Sequence, residues 1–198
     1  MQQSTDEIID LDILITPETV FFFDLDETLV DTDFVNFLSY KKAIMSVTKS
    51  DHNLTYNPNK RFNRSVLKEM FPTLSLSEFE KIISKKEEYY NDFISDTKLN
   101  NALADIVIRY SKTNRIVLVT NCKEARARKT LENFNLLNYF DDAFYKESFP
   151  DGLDSNKFQN AISRLGIDPG LIIAFENEED EILNAQKAGI LKINPKYF

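Results

Sequence analysis

Val20-Phe21-Phe22-Phe23-Asp24-Leu25-Asp26-Glu27-Thr28-Leu29 is the stretch on which the reading of this chain turns. Its first four residues are β-branched or aromatic, with no polar interruption, which is the pattern of a buried strand. Asp24 stands where that strand ends. Asp26 lies two residues on and returns to the same opening. Parallel sheets bind ligands at the carboxyl ends of their strands, so the pair reads as a site. Two neighbouring like charges need a proton or a cation to compensate them. A hard cation such as Mg²⁺, bound mainly by oxygen, is a natural compensator.

Working outward, Leu11 to Ile15 reads as a short preceding strand. From Asp33 to about Asp96 the pattern is helical. Phe34, Phe37, Leu38, Lys41, Ile44 and Met45 keep helical spacing, with Lys41 the one polar member. Asp51 to Asn63 reads as a loop and Ser65 to Phe71 as a short helix. A longer helix opens at Ser77, with Ser77 and Glu80 as its capping box and Phe79, Ile82, Ile83, Tyr90 and Phe93 as its apolar stripe. After this block helix and strand alternate. Ile116 to Val119, Ala143 to Tyr145, Leu171 to Phe175 and Ile190 to Ile193 are the expected strands. Helices marked by Leu99 to Tyr110, Ala127 to Phe134, Phe158 to Leu165 and Ile182 to Ala188 fall before and between them, the last stopped by Gly189. Such alternation implies an α/β fold, a doubly wound parallel sheet covered on both faces. The helical block, 33–96, reads as an insertion, leaving 1–32 and 97–198 as the core.

Composition narrows the function classes. The chain has 198 residues, 42% of them hydrophobic, enough for one domain with a small insertion. Its net charge of -8 argues against general nucleic-acid binding, because a phosphate backbone would be repelled. A small phosphorylated ligand held by local cations remains compatible. Cys122 is the one cysteine, so neither a disulfide framework nor a zinc cluster is expected. No apolar stretch approaches transmembrane length. Met1 to Asp12 is polar and acidic, unlike a signal peptide, so a cytoplasmic location is the expectation.

Further features fall at the ends of predicted strands. Thr120-Asn121 follows Ile116 to Val119. Glu176-Asn177 follows Leu171 to Phe175, with Glu178, Glu179, Asp180 and Glu181 behind. Lys157 lies in the first turn of its helix, just after Ser155 as a cap. Parallel topology gathers these ends at one edge. Two Asp, a Thr, a Lys and an acidic cluster supply what phosphoryl chemistry uses: a nucleophile, a proton donor, clamps and metal ligands.

On these residues the chain resembles the haloacid dehalogenase-like hydrolase superfamily over essentially its whole length. Asp24-Leu25-Asp26-Glu27-Thr28 stands as the first motif and Val117-Leu118-Val119-Thr120-Asn121 as the second. Lys157 is the best match for the third, with Lys146 the alternative. Phe175-Glu176-Asn177-Glu178-Glu179-Asp180-Glu181-Ile182, followed by Ala188-Gly189, stands as the fourth. The resemblance implies a Rossmann-like core with the insertion as a helical cap. It implies that Asp24 attacks phosphorus to form an aspartyl-phosphate. Asp26 would act as acid and base, protonated at first in an anionic, partly desolvated setting, and would offer its main-chain carbonyl to the metal. Thr120, the Asn121 amide and Lys157 would hold the phosphoryl group. Mg²⁺ would sit on Asp24, Asp26, Glu176 and Asn177. Asn177 departs from the family, which usually has Asp there, and a neutral oxygen is a weaker ligand. Glu181 or Asp180 could supply a second acid.

Lys60, Arg61 and Arg64 form a basic cluster that could hold the non-reacting end of a substrate. His52 reads as a surface residue and Cys122 as a small packed one. The leading expectation is a Mg²⁺-dependent phosphatase acting on a small phosphorylated metabolite. The alternatives are a phosphomutase of the same fold and a non-catalytic binding protein, the latter suggested by Asn177.

Overall fold

The computed structural model describes residues 15–149 and 156–195. Five strands make one parallel sheet: β1 (Val20–Phe23), β4 (Arg115–Val119), β5 (Asp142–Phe144), β6 (Ile172–Phe175) and β7 (Lys192–Ile193). Their order is β5-β4-β1-β6-β7, so β1 lies at the centre, with Phe22 opposite Val117 on one side and Ala174 on the other. A central strand flanked by parallel neighbours has no wet face, which is why β1 contains no polar residue. The three phenylalanines are fully buried. Each contributes about 1.5–3 kcal/mol through its removal from water.

Side chains alternate across the sheet. Phe21 and Phe23 share one face with Ile116, Leu118 and Phe175, and Phe23 stacks on Phe175 with ring centroids 4.9 Å apart. Helices α4 (Asn101–Tyr110) and α5 (Glu124–Asn133) cover that face through Leu103, Val107, Ala127 and Leu131. Val20, Phe22, Val117 and Ala174 face the other way. They meet α6 (Lys157–Leu165) and α7 (Glu179–Lys187) through Phe158, Ala161 and Ala185. The doubly wound arrangement follows from these two apolar faces. The connections leave β1 toward β4 and later return across it to β6, so the switch point, where ligands bind in such sheets, opens at the end of β1.

Between β1 and β4 the chain makes β2 (Val30–Asp31), then α1 (Asp33–Thr48), α2 (Arg64–Met70) and α3 (Leu76–Phe93), then β3 (Lys98–Leu99). These helices hold an apolar cluster of their own, including Phe37, Tyr40, Ile44, Leu67 and Ile82. Residues of the loop between α1 and α2 join it: Leu54 and Phe62 are buried there. Asn36 Nδ2 donates to the Phe62 carbonyl at 2.7 Å, and Lys41 Nζ to the Leu54 carbonyl at 2.8 Å. Lys41, the polar member of the α1 stripe, thus supports the loop. β2 and β3 pair antiparallel and tie together the two crossings between sheet and helices. A ladder of two residues per strand carries no periodic signal, and Leu99 belongs to it rather than to α4.

Two local expectations change. Ser75 and Glu78 form the capping box of α3, not Ser77 and Glu80. The stretch Ser75-Leu76-Ser77-Glu78-Phe79-Glu80 holds two overlapping boxes, and the outer one adds helix length. Asn156 caps α6, its side chain accepting from the Phe158 and Gln159 amides. Ser155, and Leu11 to Leu14 of the expected first strand, lie outside the described residues, and Ile15 is irregular. Among the described residues no helix is long and apolar enough to cross a membrane.

Candidate active site

The turn after β1 is built to present carboxylates. The Asp24 amide donates to the Phe175 carbonyl at 3.0 Å, which extends the β1–β6 ladder by one residue. Leu25 and Leu29 are fully buried and anchor the turn to the core. Asp24 and Asp26, on either side of Leu25, therefore face the opposite way. Glu27 adopts a left-handed conformation, φ 63°, unfavourable for a side chain with a Cβ. It is held there by its amide, 2.8 Å from the Val30 carbonyl, and by its Oε1, which accepts the Thr32 amide at 2.8 Å. Thr120 is placed similarly, its amide 2.9 Å from the Phe144 carbonyl past the end of β4. The Thr120 hydroxyl accepts the Cys122 amide at 3.1 Å, so its own proton is available to another acceptor.

Lys157, the first residue of α6, reaches across to β1 and β6. Its Nζ lies 2.8 Å from Asp24 Oδ1 and 2.7 Å from Glu176 Oε2. All three residues are buried. Glu176 Oε1 accepts the amides of Asn177 and Glu178 at 2.9 and 3.0 Å, so both its oxygens are engaged. One ammonium faces two carboxylates. Burial pushes the Asp24 carboxyl up to about 6 against the pull of Lys157, and the Glu176 charge adds to the rise. Burial disfavours the Lys157 ammonium, but Asp24, Glu176 and Glu181 outweigh it and hold the group well above the ordinary lysine range.

Asp26 corrects an expectation. Its setting is cationic, not anionic. Oδ2 lies 2.9 Å from Arg126 Nη2 and 3.5 Å from Arg61 Nη2, and Oδ1 accepts the Thr32 hydroxyl at 2.8 Å. Burial raises the Asp26 pKa, but the two guanidiniums and the hydroxyl overcome it and hold the carboxyl below its ordinary range. The ionised form is thus favoured in this state, with Arg126 the largest cause of the lowering.

Asp24, Asp26, Thr120, Asn121 and Lys157 line one cavity of about 150 Å³ with Arg61 and Arg126. Lys146, the alternative lysine, is exposed on a neighbouring cavity, so Lys157 is the one that meets Asp24. Of the basic cluster, Arg61 lines this cavity and Arg64 the neighbouring one, while exposed Lys60 pairs with Glu69 at 3.4 Å and lines neither. His52 is exposed and bonds Thr48, as a surface residue would. Cys122 is buried at the cavity wall, and burial pushes its thiol far above the ordinary range, which makes it unreactive.

The residues fit a hard dication, though incompletely. Among the described residues no three carboxylate, His or Cys side chains gather into a ready cage. Yet Lys157 neutralises only one of Asp24 and Glu176, and Glu181 Oε2, 4.0 Å from Lys157 Nζ, is buried without a hydrogen-bond partner among the described residues. The Asn177 amide oxygen accepts the Thr28 hydroxyl at 2.9 Å and keeps a free lone pair. Asp180 is exposed. Mg²⁺ commonly binds through one or two carboxylates and completes its shell with water and substrate phosphate, which suits this set.

A family model described as haloacid dehalogenase-like hydrolase matches residues 21–194. A comparison with curated proteins finds no match. Among solved structures, a haloacid dehalogenase-like family hydrolase from Streptococcus pneumoniae is 19% identical, with TM-score 0.68, over 90% of this chain and 84% of its own. A protein described as a predicted phosphoglycolate phosphatase from Haemophilus somnus is 20% identical, with TM-score 0.70, over 88% and 84%. A β-phosphoglucomutase from Clostridium difficile is 19% identical, with TM-score 0.67, over 88% and 83%. At these identities the likeness is one of fold.

Proposed function

The chain belongs to the haloacid dehalogenase-like hydrolases, and on that premise we propose that it is a Mg²⁺-dependent phosphatase of a small phosphorylated metabolite. The observation that carries this reading is the 2.8 Å contact of Lys157 Nζ with Asp24, on a cavity that also holds Thr120, Arg61 and Arg126. Asp24 attacks phosphorus, and the ester oxygen leaves as an aspartyl-phosphate forms. Lys157 orients the Asp24 carboxylate and neutralises phosphoryl oxygens, and the Thr120 hydroxyl and the Asn121 amide donate to them. A Mg²⁺ held by Asp24, the Asp26 main-chain carbonyl and Asn177, with Glu176 or Glu181 near it, would add charge neutralisation.

Asp26 moves the proton. An incoming phosphate dianion competes for Arg61 and Arg126, and as their hold on Asp26 weakens, burial favours its protonated form, the proton being taken up from solvent. Asp26 then gives that proton to the leaving oxygen and takes one from the water that hydrolyses the aspartyl-phosphate. Residues 33–96 form the cap over this chemistry, and Arg61 links them to Asp26 and to Glu178.

The test is turnover of para-nitrophenyl phosphate with added Mg²⁺, abolished in Asp24→Asn. Undiminished turnover in that variant would remove Asp24 from the mechanism. The phosphomutase alternative differs only in the acceptor. Release of inorganic phosphate in step with ester consumption favours the phosphatase, and isomerised ester without release favours the mutase.

A further inference from the structure

A second cavity, of about 340 Å³, adjoins the first and shares Arg61, Asn121, Arg126 and Glu178 with it. Arg61, Arg64, Lys86 and Arg126 line it, with exposed Lys123 and Lys146 also on its wall. Against these six cations it has two carboxylates, Glu87 and Glu178. Among the described residues that is an excess of four positive charges on the wall, or three once Asp26, which pairs with Arg61 and Arg126 from the adjoining cavity, is counted, in a protein whose net charge is -8. A concentrated field of the opposite sign to the whole molecule attracts anions to one place.

Two of these cations are buried with hydrogen-bonding capacity left unfilled among the described residues. Lys86 is 4% exposed, packed over the rings of Tyr40 and Tyr90, with Glu87 as its ion-pair partner at 3.4 Å. Among the described residues Arg126 Nε and Nη1 are buried without a hydrogen-bond partner, and Glu87 stands 3.6 Å from Nε. Asp26 holds Arg126 through Nη2 only, so on this side Glu87 faces both the Lys86 ammonium and the Nε edge of the guanidinium, at less than good hydrogen-bond geometry. Buried charges of this kind are stabilised when an anion supplies the missing acceptors.

On the phosphatase reading above, we propose that this cavity is a second anion subsite. It receives the non-transferred anionic group, a carboxylate or a second phosphate, of a doubly anionic phosphate ester, and Lys86 and Arg126 select for that group. Esters with a neutral tail leave both cations unsatisfied and are discriminated against on the order of ten- to a hundredfold in kcat/KM.

The experiment compares kcat/KM within two pairs of esters: glycerol 3-phosphate against 3-phosphoglycerate, and fructose 6-phosphate against fructose 1,6-bisphosphate. It uses the wild type, Lys86→Met and Lys86→Arg. The wild type should prefer the anionic member of at least one pair by about tenfold or more, and the pair that shows it identifies carboxylate or phosphate. Lys86→Met should bring that ratio toward one, and Lys86→Arg should keep most of it. Ratios near one in the wild type, or an unchanged ratio in a folded Lys86→Met, would overturn the proposal. If the wild type turns over no ester, the phosphatase reading fails separately. The subsite is then judged by calorimetric titration with inorganic pyrophosphate. Binding weakened about tenfold in Lys86→Met supports it, and no binding by the wild type overturns it.

Discussion

Asp26 Oδ2 stands 2.9 Å from Arg126 Nη2, a contact between residues a hundred positions apart in the chain. It joins the turn after β1 to helix α5 and sets the charge of the residue assigned the proton transfers. Both side chains are largely buried, Asp26 11% and Arg126 12% exposed, so the pair is poorly screened. The Asp26 pKa is depressed in the folded state, so its stabilisation is present above the ordinary carboxylate pKa and is lost as pH falls through the folded value. Arg126→Gln should destabilise the protein by about 3 kcal/mol at most at pH 7, since its removal also relieves Lys86, and by less at pH 3. Urea denaturation at the two pH values measures this. An equal loss at both would mean that the ion pair is not the source.

Asp24 must be ionised to attack. Without a metal its carboxyl is pushed up to about 6 by burial against the pull of Lys157, and a bound cation lowers it, so the acid limb of kcat/KM should move to lower pH as Mg²⁺ is raised. A substrate phosphate also titrates in this range. Glu176→Gln separates the two, because it removes a like charge that raises Asp24. The limb should move to lower pH in the variant, whereas a limb due to substrate ionisation would stay.

Asn177 offers a neutral oxygen where the family usually carries Asp, and its Oδ1 already accepts the Thr28 hydroxyl at 2.9 Å. A carboxylate in its place keeps that acceptor and adds charge. Asn177→Asp should lower the Mg²⁺ concentration for half-maximal turnover by about tenfold. An unchanged requirement would mean that Asn177 does not reach the metal.

The sheet was legible because buried parallel strands are continuous apolar runs, and Phe21 to Phe23 and Ile116 to Val119 have no other reading. The strand ends were legible with them, which brought Asp24, Thr120 and Lys157 together. What escaped was side-chain direction. Lys60 and Arg61 are adjacent, yet Arg61 meets Asp26 while Lys60 pairs with Glu69, because burial of Phe62 in the helical cluster fixes how the loop is turned. Arg126 had no local signal, as its partner is distant in sequence. Lys86 did have one: it lies four residues from Ile82 and four from Tyr90, both buried, in the middle of the apolar stripe of α3.

Lys86 should also leave a mark on stability. Burial, with Arg126 beside it, lowers its pKa from 10.5 to about 8 in the folded protein. Between those values the unfolded chain binds the extra proton, so this group makes stability rise with pH through about 8 to 10.5. Below that window its full penalty, roughly 3 kcal/mol, is present. Lys86→Met removes the penalty, so at pH 7 its Tm should exceed that of the wild type by roughly 5–10 °C. The difference between the two proteins should shrink as pH approaches 10.5. Pyrophosphate in the cavity should favour the charged ammonium and raise the Tm of the wild type more than that of Lys86→Met. A Lys86→Met variant less stable than the wild type at pH 7 would mean that the buried ammonium is already satisfied by Glu87 and the two tyrosine rings.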